Sequence, residues 1–358
     1  MTTQHLQHAQ SHTWKEMLSQ ASVWQTVLDE LRDSETFGAI SRSGANSREW
    51  LFIGCGTSFY LAEAAAISWT MLTGQAARAI PASEVLLFPS LLQAEGSGLQ
   101  AVVISRSGRT SEAVRAAKIL RNELKIFTVG ISCAQKSELE AACDACIVLH
   151  PADEQSTVMT RSFTSMLMTL QVLAAKRAGK GAFIEELRAM AERFSPRISS
   201  IAEQMEAFVA KHSFEDYVFL GQGPFHGIAR EAALKVMEMS CSYSQFFHAL
   251  EFRHGPKAIV SPATCLTFFL SESAQAPETE VLEEMRELGG VIVAICDTAT
   301  PEICRAAHLV IELNASSDQL VRLTPSIVPC QLFGYFSGLA KALNPDQPKN
   351  LTRVVILD

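Results

Sequence analysis

Short apolar runs alternate with amphipathic helical patterns along most of the chain. LFIG (51–54), VVIS (102–105), TVGIS (128–132) and CIVLH (146–150) each have the length of a buried strand, and EAVRAAKILRNEL spaces its apolar residues as a helix does. The same order of signals then returns. LFIGCGTSFYLAEAAA (51–66) resembles VFLGQGPFHGIAREAA (218–233), VVIS pairs with FFLS (268–271), TVGIS with IVAIC (292–296), and CIVLH with LVIEL (309–313). The offsets stay between 163 and 167 residues, which marks a duplication. Strands alternating with helices predict an α/β chain: two similar three-layer αβα units with parallel sheets, at about 35–180 and 200–345. Ligands of such folds sit beyond the carboxyl ends of the strands. Leu167 to Ala210 is helical in pattern. Trp14 to Leu31 predicts a leading helix within an N-terminal segment 1–34, whose first twelve or so residues read as a disordered polar leader with solvated His5, His8 and His12.

The stretch VVISRSGRT (102–110) ends a buried strand in a hydroxyl-rich turn at a helix start. Amides in the first turn of a helix lack intrahelical partners, and the helix dipole there favours negative charge. Ser105, Ser107 and Thr110, with Arg106 and a glycine that lets the backbone approach closely, suit a phosphate monoester. Serine and threonine also cap ordinary helices, but three hydroxyls with an arginine exceed what capping needs. The glycine turns Gly54-Cys55-Gly56 and Gly221-Gln222-Gly223 are not dinucleotide fingerprints, because Phe59 and His226 stand where the third glycine belongs.

Composition narrows the classes. At 358 residues the chain has room for two domains, and its formal charge of -8 argues against non-specific nucleic-acid binding. No apolar run reaches the roughly 20 residues that span a bilayer, and the first residues lack the apolar core of a signal peptide. No membrane association and a cytoplasmic location are the resulting expectations. The nine cysteines are odd in number and mostly lie inside predicted elements, as in a reduced protein. Cys143 and Cys146 form a lone CxxC without the second pair that zinc requires, so no metal site is expected.

GCGTS, SRSGRT, the segment EAALKVMEMSCSYSQFFHALEFRHGPKAIV and the tail NPDQPKNLTRVVILD resemble sugar-isomerase (SIS) domain proteins. More closely they resemble the isomerase module of the glutamine:fructose-6-phosphate amidotransferases. The likeness runs from about Glu16 to the C-terminus. It leaves out the glutaminase domain, whose cysteine nucleophile would follow Met1 where Thr2 stands. The resemblance implies two tandem SIS domains, each a three-layer αβα parallel-sheet (flavodoxin-like) unit, and a tail, 346–358, that closes the active site. It also implies a phosphorylated sugar as substrate, a homodimer with a shared active site, and neither metal nor organic cofactor.

By position, the resemblance assigns Ser105, Arg106, Ser107 and Thr110 to the phosphate turn, with Ser58 as a further phosphate contact. It places Cys55, Gly56 and Thr57 on the sugar side, and Thr157 and Met159 where the family closes over its ligand. Glu238 matches the base that moves a proton between C1 and C2. Lys235 matches a pocket lysine, and His254 in EFRHGP matches the ring-opening histidine that reaches across the dimer interface. One carboxylate can take a proton from one carbon and return it to the next. A cation beside the developing oxyanion lowers the barrier. Glu238 and Lys235, three apart, share a helix face. His226 and His248 receive no role, and His308 reads as structural.

Two positions depart from the family pattern. Arg353 stands in place of a tail lysine that forms a Schiff base with the open-chain sugar, and a guanidinium is not a practical imine former. Arg106 replaces a neutral amide. The reading is a phosphosugar isomerase or amino-sugar-phosphate deaminase working by C1–C2 proton transfer on a hexose 6-phosphate or its amino derivative. The alternatives are a deglycase and a non-catalytic phosphosugar-binding regulator.

Overall fold

A computed structural model describes residues 10–44, 47–92 and 98–357. Within them, the duplicated pattern becomes two five-stranded parallel sheets. The first contains β1 (Glu49–Gly54), β2 (Ala76–Pro81), β3 (Leu99–Ile104), β4 (Phe127–Ser132) and β5 (Ala145–Val148), in the order β2-β1-β3-β4-β5. The second contains β6 (Asp216–Gly221), β7 (Ser244–Phe247), β8 (Thr264–Phe269), β9 (Val291–Cys296) and β10 (Leu309–Glu312), in the order β10-β9-β8-β6-β7. Read from the other edge, the second order is the first. The four repeated apolar runs are thus β1, β3, β4 and β5 and their counterparts β6, β8, β9 and β10. The fifth strands, β2 and β7, lie at sheet edges and are half-exposed, so AARAIP and SQFF give no apolar run.

Each sheet buries its apolar side chains under flanking helices. In the first, Leu51, Ile53 and Val103 pack with Ala113, Val114 and Leu120. In the second, Val218, Leu220, Leu266 and Phe268 pack with Val281, Leu282 and Met285. Close approach of strand to helix explains the first glycine of each glycine turn. A Cβ on Gly54 would lie 2.7 Å from the Phe59 nitrogen, and one on Gly221 would lie 2.7 Å from the Phe225 carbonyl carbon. The second glycines, Gly56 and Gly223, have φ of 53° and 55°, the left-handed region that glycine enters without strain.

The chain divides into two compact units that do not follow chain order. One holds the first sheet, with Ser22–Glu154, Arg161–Arg188 and the tail from Thr352. The other holds the second sheet, with the described residues up to Ala21, the short segment Gln155–Thr160, and Ala189–Leu351.

The expected leading helix is broken in two, His12–Leu18 and Gln20–Asp33. The Ser19 hydroxyl donates to the Glu16 carbonyl at 3.0 Å and the Gln20 amide donates to the Met17 carbonyl at 3.0 Å, so side chains compete for the helix's last acceptors. Of the leader, residues 1–9, including His5 and His8, lie outside the described residues. Ser11 is fixed: its Oγ accepts the Trp14 N–H at 3.1 Å and donates to Asp346 at 3.0 Å. The region 167–210 is helical as expected, in Arg161–Arg177, Gly181–Phe194 and Arg197–Val209. All nine cysteines are unbridged. No helix among the described residues is long and apolar enough to cross a membrane.

Candidate functional site

In the unit of the first sheet, β3 delivers the turn Ser105–Thr110 to the start of the helix Ser111–Lys118. Ser105 is buried, and its N–H extends the sheet by donating to the Ile131 carbonyl at 3.1 Å. The Gly108 N–H closes the turn on the Ser105 carbonyl at 3.0 Å, with Gly108 at φ 60°. A Cβ there would lie 2.9 Å from the Ser132 Oγ, so packing as well as conformation calls for glycine. The Ser105 hydroxyl donates to the Thr110 hydroxyl at 3.2 Å, and the Ser107 hydroxyl accepts the Arg109 N–H at 3.2 Å. Three hydroxyls therefore converge on one turn. The first amide of the following helix is already engaged: Ser111 N–H donates to the Val355 carbonyl at 3.3 Å.

Arg106 turns inward. Its guanidinium is buried with the carboxylate of Glu154 at 3.3 Å, the side chains being 4% and 0% exposed, and it also donates to the Arg353 carbonyl at 3.1 Å. Glu154 further accepts the Ser162 N–H at 3.3 Å and the Ser162 hydroxyl. The Arg353 side chain pairs with Asp153 at 2.9 Å and is half-exposed. The tail is thus tied to the turn through its backbone, while the Arg353 guanidinium is held by an acid of this chain.

At the end of β1, Gly56 caps the 17-residue helix Thr57–Thr73. Thr57 and Ser58 are buried in its first turn, where Ser58 N–H donates to the Cys55 carbonyl at 3.1 Å. Burial, and then the Glu112 charge, push the Cys55 thiol up to about 12. It stays protonated at neutral pH, as a lining group rather than a thiolate nucleophile.

In the unit of the second sheet, the helix Phe225–Ser240 carries Glu231, Lys235 and Glu238 on one face. Lys235 is fully buried. It lies 3.3 Å from Glu231, also fully buried, and is hydrogen-bonded to Glu238, whose side chain is 17% exposed. Burial alone would lower the lysine's pKa, but the two carboxylates outweigh it and raise it. The result is a permanently charged lysine between an interior carboxylate and one that reaches solvent. Glu231 was not among the sequence candidates, although its four-residue spacing from Lys235 is the signal that finds it.

The segment Gln155–Thr160 alternates in burial. Ser156, Val158 and Thr160 are buried, and the candidates Thr157 and Met159 are half-exposed. His254 follows the short turn Glu251–Arg253 and is exposed, as are Glu251, Gly255, Ala258 and Ile259 around it. The structure therefore brings together Ser105 with Thr110, Arg106 with the Arg353 backbone, and Lys235 with Glu238.

Two further histidines stack. His226 and His248 have ring centroids 3.8 Å apart at 13°, and burial, His248 and Arg230 together push the His226 imidazole down to about 4. The structural reading of His308 holds: its Nδ1 accepts the Ile292 N–H at 2.9 Å. No group of three or more metal-ligating side chains occurs among the described residues.

Residues 45–176 and 215–335 match the SIS domain model. The chain belongs to the SIS domain family. This SIS-domain chain is 28% identical over 336 residues to the glutamine–fructose-6-phosphate aminotransferase (isomerizing) of Treponema pallidum, covering 86% of itself and 51% of that protein. It is 27% identical over 364 residues to the Pseudomonas aeruginosa protein of the same name, covering 96% and 58%. The chain spans about half the length of these curated relatives. Among solved structures it is similar to glucosamine-6-phosphate deaminase from Thermotoga maritima, at 26% identity and a TM-score of 0.79, covering 97% of this chain and 100% of that one. It shares its fold with tagatose-6-phosphate ketose/aldose isomerase from Escherichia coli, at 23% identity and a TM-score of 0.84, covering 98% and 97%.

Proposed function

We propose that this SIS-domain protein is a phosphosugar isomerase or amino-sugar-phosphate deaminase. In this reading Ser105, Ser107 and Thr110, with Ser58, take the phosphate, and Cys55, Gly56, Thr57, Thr157 and Met159 contact the sugar. Glu238 takes the proton from one of C1 and C2 and returns it to the other. Lys235 stands beside the oxygen that becomes negative in the enediol or enolamine, and His254 assists ring opening. For an amino sugar the same shift gives a ketimine, which water hydrolyses to the ketose with release of ammonia.

The observation that carries the reading is the Glu231–Lys235–Glu238 row. A charged lysine fully out of water, anchored from behind by one carboxylate and facing a second that reaches solvent, is an expensive arrangement for a purely structural role. The exposure of Glu251, His254 and Gly255 in EFRHGP supports a homodimer in which a second copy covers His254. Arg353, paired with Asp153, supports ring opening by acid–base chemistry without an imine to the tail.

The test is NMR in deuterated water with fructose 6-phosphate, glucosamine 6-phosphate and galactosamine 6-phosphate. Deuterium enters at C1 or C2 with at least one of them, and Glu238→Gln slows entry by about 10²–10⁴-fold while the sugar still binds. Ammonia release selects the deaminase. Binding without exchange for all three sugars overturns the reading and leaves a deglycase or a regulator.

A further inference from the structure

The segment that carries Thr157 and Met159 has no regular secondary structure of its own, yet it is clasped at both ends by buried polar side chains. At its start the Glu16 carboxylate, 4% exposed, accepts the Gln155 N–H at 2.6 Å, the Ser156 N–H at 3.4 Å and the Ser156 hydroxyl. That hydroxyl also lies 2.8 Å from the Val158 carbonyl, so the Glu16 contact is passed along the backbone past Thr157. At its end the Thr160 carbonyl accepts from the fully buried Gln331 at 3.3 Å, and Gln331 in turn accepts from Gln20 at 2.8 Å.

The helix that bears Glu16 is itself pinned. Asp346 accepts the His12 N–H at 2.9 Å, the Thr13 N–H at 2.8 Å and the Thr13 hydroxyl at 2.6 Å. Trp14 packs on Tyr335 and Phe336, with centroids 5.4 and 5.8 Å away. A buried carboxylate gathering backbone N–H groups forms charge-assisted hydrogen bonds, the strong kind, and leaves the loop little freedom.

We propose that Glu16 is a positioning residue: it holds the Gln155–Thr160 loop so that Thr157 and Met159 present one geometry to the sugar part of the ligand, and it takes no part in holding the phosphate. This rests on the phosphosugar reading for its ligand, and on the hydrogen bonds alone for the clasp. Removing the clasp frees the loop and weakens recognition of the sugar, while the turn at Ser105–Thr110 keeps its affinity for a bare anion.

Glu16→Gln tests this directly, because an amide NH₂ then meets one of the two backbone N–H donors. Three readouts are taken on the full chain: amide hydrogen exchange, affinity for inorganic phosphate, and the kcat and KM of deuterium exchange into the best of the three sugar phosphates. The expected result is exchange at Gln155 and Ser156 faster by about tenfold or more, with β8 and β9 amides unchanged. Phosphate affinity stays within twofold of wild type, and KM for the sugar rises by about tenfold with kcat less affected. Ser156→Ala, which removes one arm of the clasp, carries the same readouts if Glu16→Gln does not fold. Unchanged exchange at Gln155 and Ser156, or loss of phosphate affinity in step with sugar affinity, overturns the proposal. A wild-type protein that turns over none of the sugars overturns the functional reading instead, and the amide exchange still decides whether Glu16 holds the loop.

Discussion

Ser105 and Leu270 occupy the same place in their two sheets. Each donates its backbone N–H to an isoleucine carbonyl in the next strand, Ile131 at 3.1 Å and Ile295 at 2.9 Å. From that shared point the two turns diverge. The first runs six residues, Ser105–Thr110, with left-handed Gly108 and a Ser105–Thr110 hydroxyl pair 3.2 Å apart. The second runs five, Leu270–Ala274, with leucine where the first has its buried serine and no positive-φ residue. It is filled from within: the Glu278 carboxylate, on the next helix and fully buried, accepts the Ser271 N–H at 2.8 Å and the Ser271 hydroxyl at 3.1 Å. An internal carboxyl group thus occupies the donors that an external anion would use. Duplication kept the strand order in both halves and left open hydroxyl chemistry in only one.

The buried arginines at the two turns, Arg106 within the first and Arg322 reaching Glu272 of the second from elsewhere in the chain, sharpen the contrast. Arg106 pairs with Glu154, which is fully buried, whereas Arg322, 1% exposed, pairs with Glu272, which is 43% exposed. Arg106→Met strands a carboxylate in the interior, and urea unfolding should show a loss of about 3–5 kcal/mol. A loss below about 1 kcal/mol would mean that Glu154 reaches water and that the first turn is less closed beneath than it looks.

The next effect in size belongs to Glu278. Burial pushes its carboxyl up to about 7, against the pull of the Ser271 hydrogen bonds. The folded protein therefore keeps a proton that the unfolded chain releases from about pH 4.5 upward. This contribution to stability is complete below about pH 4.5 and is lost as pH rises through about 7, a span of about 3 kcal/mol. Glu278→Gln removes that slope. The difference in unfolding free energy between wild type and variant, measured from pH 5 to 8, should move in the variant's favour up to about pH 7 and level off above it. A flat difference would break the picture of a carboxylate confined in the second turn.

The smallest effect is Arg322→Met. Glu272 is left hydrated and the main loss is the 2.8 Å bond to the Ser316 carbonyl, so the cost should be about 1–2 kcal/mol. A cost equal to that of Arg106→Met would remove the asymmetry.

What the sequence made legible follows from where the physics is local. β1, β3, β4 and β5 and their counterparts read clearly because buried parallel strands are continuous apolar runs. Lys235 and Glu238 read clearly because one helical turn joins them. The turn pairing did not, because VVIS and FFLS align their serines at an offset of 166, whereas the hydrogen bonds set Ser105 against Leu270 at 165. A one-residue difference in turn length leaves no mark on hydrophobic periodicity. Glu154 lies 48 residues from Arg106 and Glu16 lies 139 residues from Gln155, so neither partnership has a local signature. The resemblance places Arg106 in the phosphate turn, and its pairing with Glu154 has no trace in the local sequence.

The most direct measurement is calorimetric titration of the full-length protein with inorganic phosphate. The account predicts one phosphate per chain, lost in Ser105→Ala/Thr110→Val and retained in Ser271→Ala/Ser273→Ala. Two phosphates per chain, or a single site that survives the first pair of substitutions and falls with the second, would contradict it.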